Sequence, residues 1–211
     1  ASDVYKRQEW GRRVGVDNFY TYIDKLGLTS KTGIDIAGEA GTIIHKKENV
    51  GEVELATMSF GQSFQITPMQ MLRAAAAIVN GGNLVTPHFA IRTCAADKTT
   101  YSEFSYSTTQ EAVSKETSDT MKDILRQVVE EGGGKNAYIE GFSIGGKTAT
   151  SQKLPRGSGK YIASFIGFSD VTDPSVIAMC LIDEPQGIYY GGTIAAPVIR
   201  ELYDNILPYM D

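Results

Sequence analysis

The chain has 211 residues, with 20 Lys+Arg against 25 Asp+Glu and a formal net charge of −5. This is room for one large or two small domains, and an acidic balance without a dense Lys/Arg stripe excludes nucleic acid as a partner. Cys94, Cys180, His45 and His88 are too few and too scattered for a zinc site or a disulfide framework, and the longest apolar run, Val176 to Ile182, is far below the ~20 residues of a membrane span.

In chain order, residues 1–8, ASDVYKRQ, read as the in-frame translation of a transposon-based sequencing adapter or, alternatively, as a short polar arm. Asp17 is an N-cap candidate for a helix carrying Phe19, Tyr22, Ile23 and Leu26 at the helical period, ended by Gly27. Thr29 to Val53 is rich in Gly, Lys and Glu, and reads as an extended loop with short strands at Ile34–Ile36 and Thr42–Ile44. Thr67-Pro68 is a cap with proline at the first helical position, opening a helix that Asn80-Gly81-Gly82 stops. Val85, Phe89, Ile91, Phe104 and Tyr106 predict a hairpin or short β-elements. Ser118 is expected to open an amphipathic helix with Met121, Ile124, Leu125, Val128 and Val129 on one stripe. Phe142–Thr150, Tyr161–Phe168 and Val176–Ile182 then read as strands, with a closing helix from about Thr193. The short intervals between the strands favour antiparallel pairing, because a parallel crossover needs a dozen or more residues. Helices followed by an antiparallel block and a terminal helix make the fold class α+β.

Gly141-Phe-Ser-Ile-Gly-Gly-Lys-Thr148 fits the phosphate-binding pattern GxxxxGK[ST], so a P-loop NTPase is one alternative. Such a loop needs its Lys-Thr pair to open a helix whose N–H groups face the anion. Here Ala149 to Pro155 is short, partly β-branched and closed by proline, which argues for a strand.

With Lys147-Thr148 on a strand, the chain resembles the C-terminal half of a class B penicillin-binding protein transpeptidase domain, from about Gly15 to Tyr209. The resemblance is carried by Thr32-Gly-Ile-Asp35, Ala56-Thr-Met-Ser-Phe-Gly-Gln62, Ile66-Thr-Pro-Met-Gln-Met71, Gly145-Gly-Lys-Thr-Ala-Thr150 and Tyr189-Tyr-Gly-Gly-Thr-Ile-Ala-Ala-Pro197. His45-Lys-Lys-Glu48 and Tyr138-Ile-Glu-Gly141 are similar to the stage V sporulation protein D branch. It implies a penicillin-binding protein and serine β-lactamase-like fold, present in part, with residues 9–211 as the C-terminal part of a domain truncated on its N-terminal side. It implies a membrane-anchored D,D-transpeptidase on the extracytoplasmic face, cross-linking peptidoglycan stem peptides through an acyl-enzyme and binding β-lactams. No cofactor is implied; a glycosyltransferase of the division or sporulation machinery is implied as a partner.

Residue by residue, Lys147 matches the lysine of the K-T-G motif, which holds the substrate carboxylate by a charge-assisted bond. Thr148 matches the second motif position, whose hydroxyl binds the same carboxylate. Thr150 matches the residue whose backbone N–H is one oxyanion-hole donor. Ala149 stands where the motif has glycine, so its methyl either points away from the ligand or reshapes access; it also leaves open a non-catalytic scaffold or sensor module. Ser59 to Gln62 and Tyr189 to Gly192 are expected to line the cleft or to serve the fold. No serine is followed by lysine three positions on, and none by asparagine two positions on. The nucleophile, its base and the middle motif are implied to lie N-terminal to the matched region, and the 211 residues are expected to be inactive alone.

Overall fold

The computed structural model describes residues 2–155 and 157–210 and divides into two compact units, 1–77 with 82–113, and 78–81 with 114–211. The first contains α1 (Ser2–Lys25), α2 (Glu52–Met58), most of α3 (Pro68–Val79), and the short strands β1 (Leu84–Val85), β2 (Arg92–Cys94), β3 (Tyr101–Glu103) and β4 (Thr108–Thr109). In α1 the helical backbone breaks at Gly15 (φ 76°, ψ 162°), a region open to a residue without Cβ. The stretch beyond the break is the helix expected from Asp17; a further helical stretch from Ser2 precedes it. Tyr20 and Ile23 of α1 bury against Met58 of α2.

The sequence reading has no counterpart for α2. Its start lacks a Ser/Thr cap; instead the Gly51 N–H donates to the Glu54 carboxylate at 2.9 Å, and bonds from the backbone N–H of Glu54 itself and then of Gly51 hold that carboxyl below its ordinary range. α3 begins where expected, with a reciprocal cap: Gln70 N–H donates to Thr67 Oγ1 and Thr67 N–H to Gln70 Oε1. The Gln70 amide, fully buried, also donates to Ser30 O and Thr42 Oγ1, tying down the long loop.

The strands expected at Ile34–Ile36 and Thr42–Ile44 do not form; Ile43 alone bridges to Gln65. The loop's polar partners are carboxylates rather than a ladder: Glu39 accepts from Thr32 N–H, Thr32 Oγ1 and Gly33 N–H, while Asp35 accepts from Phe89 and Ala90 N–H. The expected β-elements are nested antiparallel pairs, β1 with β4 outside β2 with β3.

The second unit holds α4 (Lys115–Glu130), β5 (Ile144–Gln152), β6 (Tyr161–Ser169), β7 (Val176–Asp183), α5 (Gly191–Ile194) and α6 (Ala196–Ile206). α4 starts three residues before the expected Ser118, capped by Ser114, whose side chain accepts from Thr117 N–H. Ser118 is fully buried inside the helix, and its hydroxyl accepts from Gly81 N–H at 3.0 Å. The apolar stripe begins later than the helix, because the first turn of α4 is polar.

The three long strands form an antiparallel sheet in the order β5-β6-β7, as expected. On one face Phe165 packs with Val129 of α4 and with Ile199 and Tyr203 of α6; on the other Phe168 packs with Leu125 and Val79. The Tyr203 hydroxyl donates to Gly167 O at 2.6 Å, and burial holds this phenol far above its ordinary range. The result is an α+β unit whose edge strand β5 rests on a well-packed base.

Candidate active site

Gly145 and Gly146 open β5 where the rings of Phe168 and Phe165 cross the sheet. A Cβ would fall 2.2 Å from Phe168 Cζ at Gly145, and 2.4 Å from Phe165 Cζ at Gly146. The strand that follows is β-branched at Thr148 and Thr150 and pairs with β6 in the register Lys147↔Ile166, Thr148↔Phe165, Ala149↔Ser164, Thr150↔Ala163. Among the described residues no strand pairs with its other side. Every second residue of such an edge directs its N–H and C=O outward, ready for an extended ligand.

Side chains alternate along β5, which places Thr148 and Thr150 on one face and Lys147 and Ala149 on the other. Lys147 is exposed, and its Nζ donates to Thr148 O at 2.6 Å. Thr150 Oγ1 accepts the N–H of Gly191 at 3.2 Å. The methyl of Ala149 therefore lies on the face away from the two hydroxyls. The Lys147-Thr148 pair sits mid-strand with no helix opening behind it, which removes the helix N-terminus on which the P-loop alternative depends.

The first turn of α5, with its N-cap Tyr190 and Gly191–Gly192, lies against this strand. A Cβ on Gly191 would meet Ser164 O at 2.2 Å and Ala149 O at 2.5 Å, and one on Gly192 would meet Gly133 O at 2.4 Å and Thr148 Cγ2 at 3.2 Å. Tyr189 stacks on Tyr161 with ring centroids 4.1 Å apart, and Tyr190 tilts against Tyr189 at 4.6 Å. Contact between the two phenols raises Tyr190 above its ordinary range. Tyr189 to Gly192 thus border the strand that carries the motif. In the first unit, Ser59 closes α2 by donating to Leu55 O at 2.6 Å and backs against Gly11, a structural task.

Beyond the open end of β5, Lys153 Nζ bridges Asp183 at 2.9 Å and Glu184 at 2.8 Å, and Lys160 reaches Glu184 at 2.9 Å. The hydrogen bonds from Lys153 and Lys160 hold the Glu184 carboxyl below its ordinary range. Two residues beside the Gly191–Gly192 border of the motif strand escape sequence reasoning: Gly133, and Asn136, whose Nδ2 donates to Gly192 O at 2.8 Å. Each is brought there by a long-range contact that leaves no local pattern. A cation and two hydroxyls on an open strand edge can hold a carboxylate at the end of an extended chain.

The family model of the penicillin binding protein transpeptidase domain matches residues 1–204. The chain is 41% identical over 205 residues to stage V sporulation protein D of Bacillus subtilis, covering 95% of this chain and 32% of that protein. It is 31% identical over 200 residues to a Neisseria meningitidis protein named probable peptidoglycan D,D-transpeptidase PenA, covering 92% of this chain and 32% of that one. Among solved structures, penicillin binding protein 3 of Mycobacterium tuberculosis, complexed with ampicillin, superposes with TM-score 0.86 at 25% identity, over 96% of this chain and 48% of that one. The chain spans about a third of the length of the curated relatives it matches. Motif strand, sheet order and these likenesses agree: the chain belongs to the penicillin binding protein transpeptidase domain family.

Proposed function

We propose that this chain forms the carboxylate-holding wall of a peptidoglycan D,D-transpeptidase site, and that the complete gene product cross-links stem peptides outside the cytoplasm through a serine acyl-enzyme. The observation that carries this reading is Lys147-Thr148-Ala149-Thr150 on an open sheet edge, with both hydroxyls on one face. Lys147 supplies positive potential and, with Thr148, binds the terminal carboxylate of the donor peptide. A serine oxygen attacks the carbonyl of the scissile peptide bond, and the outward N–H of Thr150, with the nucleophile's own N–H, receives the oxyanion. The C–N bond then breaks, D-Ala leaves with the proton, and an acceptor amine later displaces the serine. Losing one oxyanion donor costs about 100- to 1,000-fold in such sites.

None of the 15 serines here has the Ser-x-x-Lys spacing, so the nucleophile and its lysine base belong to sequence outside these 211 residues. β-Lactams, which mimic the donor terminus, bind the same wall. A membrane anchor and a glycosyltransferase of the division or sporulation machinery complete the proposed setting.

The test is labelling by a fluorescent penicillin. The complete gene product is expected to take up label, and Lys147→Ala to lose most of it; uptake unchanged by that substitution sinks the assignment. The 211-residue chain alone is expected to show no covalent adduct by mass spectrometry. Ala149 at the glycine position favours one second reading, a non-catalytic scaffold, for which a gene lacking Ser-x-x-Lys upstream would decide.

A further inference from the structure

The Gly191–Gly192 turn touches the motif strand from one side and the loop after α4 from the other, and both contacts are specific hydrogen bonds. α4 is followed by Gly132-Gly133-Gly134, where the chain reverses with Gly134 N–H donating to Val128 O at 2.9 Å. A tight turn over Lys135–Ala137 follows, anchored by the fully buried Ala137 and its N–H bond to Gly134 O at 2.8 Å. This anchoring fixes the backbone of Asn136. Its short, planar amide spans 56 positions of sequence to donate to Gly192 O at 2.8 Å. The approach is close enough that a Cβ on Gly192 would lie 2.4 Å from Gly133 O.

One residue earlier, the Gly191 N–H donates to Thr150 Oγ1 at 3.2 Å. A threonine hydroxyl has one proton to give and two lone pairs. With a lone pair occupied by Gly191, the proton of Thr150 is left for an acceptor in front of the strand. The orientation of that hydroxyl is thus set by the glycine turn, and the turn is held in place by Asn136.

We propose that Asn136 is a positioning residue: its side-chain amide pins the Gly191–Gly192 turn and thereby aims the Thr150 hydroxyl as a donor at the carboxylate of the acyl donor. Asn136 itself touches neither substrate nor the reacting atoms. The proposal rests on the transpeptidase reading above.

The test uses the complete gene product and a fluorescent penicillin, separating the pre-covalent dissociation constant from the acylation rate constant. Asn136→Ala, and the isosteric Asn136→Asp that cannot donate when ionised, should each raise the dissociation constant about 3- to 10-fold, the value of one hydrogen bond, with the rate constant within about twofold. A merely structural role would lower the melting temperature and the active fraction without this split. Combined with Thr150→Val, Asn136→Ala should add little beyond Thr150→Val alone, since both act through one hydroxyl. An unchanged dissociation constant in both variants overturns the proposal, and so does full additivity with Thr150→Val. A wild-type product that takes up no penicillin overturns the transpeptidase reading and the positioning role with it; wild-type uptake with unaffected Asn136 variants overturns the positioning role alone.

Discussion

Gly191→Ala is the sharpest perturbation of the site's architecture. Gly191 lies over the register pair Ala149↔Ser164, and a Cβ there would stand 2.2 Å from Ser164 O and 2.5 Å from Ala149 O. Both neighbours are backbone atoms inside a sheet ladder, so neither can swing aside as a side-chain tip would. Restoring ordinary contact moves the turn outward by about 1 Å. Overpacking of this kind costs about 1–3 kcal/mol, and the bond from Gly191 N–H to Thr150 Oγ1 is strained or lost with it. In a chain of this size each kcal/mol lowers the melting temperature by about 2–4 °C, so a fall of roughly 2–12 °C is expected in thermal unfolding followed by circular dichroism. In the complete gene product, acylation by penicillin should slow about tenfold at subsaturating concentration. Gly41→Ala is the control: nothing lies within 4 Å of its Cβ position and its φ is not positive, so the change should be neutral or slightly stabilising. A Gly191→Ala chain melting within about 1 °C of wild type would refute the close approach, and the positioning argument with it.

Gln70→Ala removes the acceptor for Thr67 N–H and the donor to Ser30 O and Thr42 Oγ1 in a fully buried position. A loss of about 2–4 kcal/mol is expected in urea unfolding, and less than 1 kcal/mol would show that the loop is not held by this amide. Glu184 and Lys153 make the stability of the second unit pH-dependent in opposite senses. The Glu184 carboxyl is lowered from 4.5, so its contribution is present above that value and fades as pH falls through the lower folded value. The Lys153 ammonium is raised from 10.5, so its contribution is present below that value and is lost as pH rises through the higher folded one. Glu184→Gln should flatten the acid limb of melting temperature against pH; an unaltered limb would discount this pair.

Where information is local, sequence and structure coincide. The reciprocal cap at Thr67 and Gln70 and the Asn80-Gly81-Gly82 stop bound α3 because a helix end is satisfied by residues three or four positions away. The same local reasoning placed Lys147-Thr148 on a strand, although a nucleotide-binding pattern runs through it. Local reasoning failed where distant groups supply the partners. The expected strand at Ile34–Ile36 gives way to a loop held in part by Asp35, which reaches Phe89 and Ala90. α2 is short, and its cap is a glycine served by Glu54, a combination without a strong periodic signal. The apolar stripe from Met121 predicts a start of α4 at Ser118, whereas the capping side chain is that of Ser114.

The sequence by itself determined the α+β class, the antiparallel succession of the last three strands and the strand setting of Lys147-Thr148. These follow from periodicity and turn residues, all written within a few positions of one another. Only the tertiary structure decided that β5 is an edge with its two hydroxyls on one face, and that the face is bordered by Gly191 and Gly192. It also brought Asn136 to that border, across 56 residues of intervening chain. A contact of that separation is set by how the sheet and helices pack, and no local pattern encodes it.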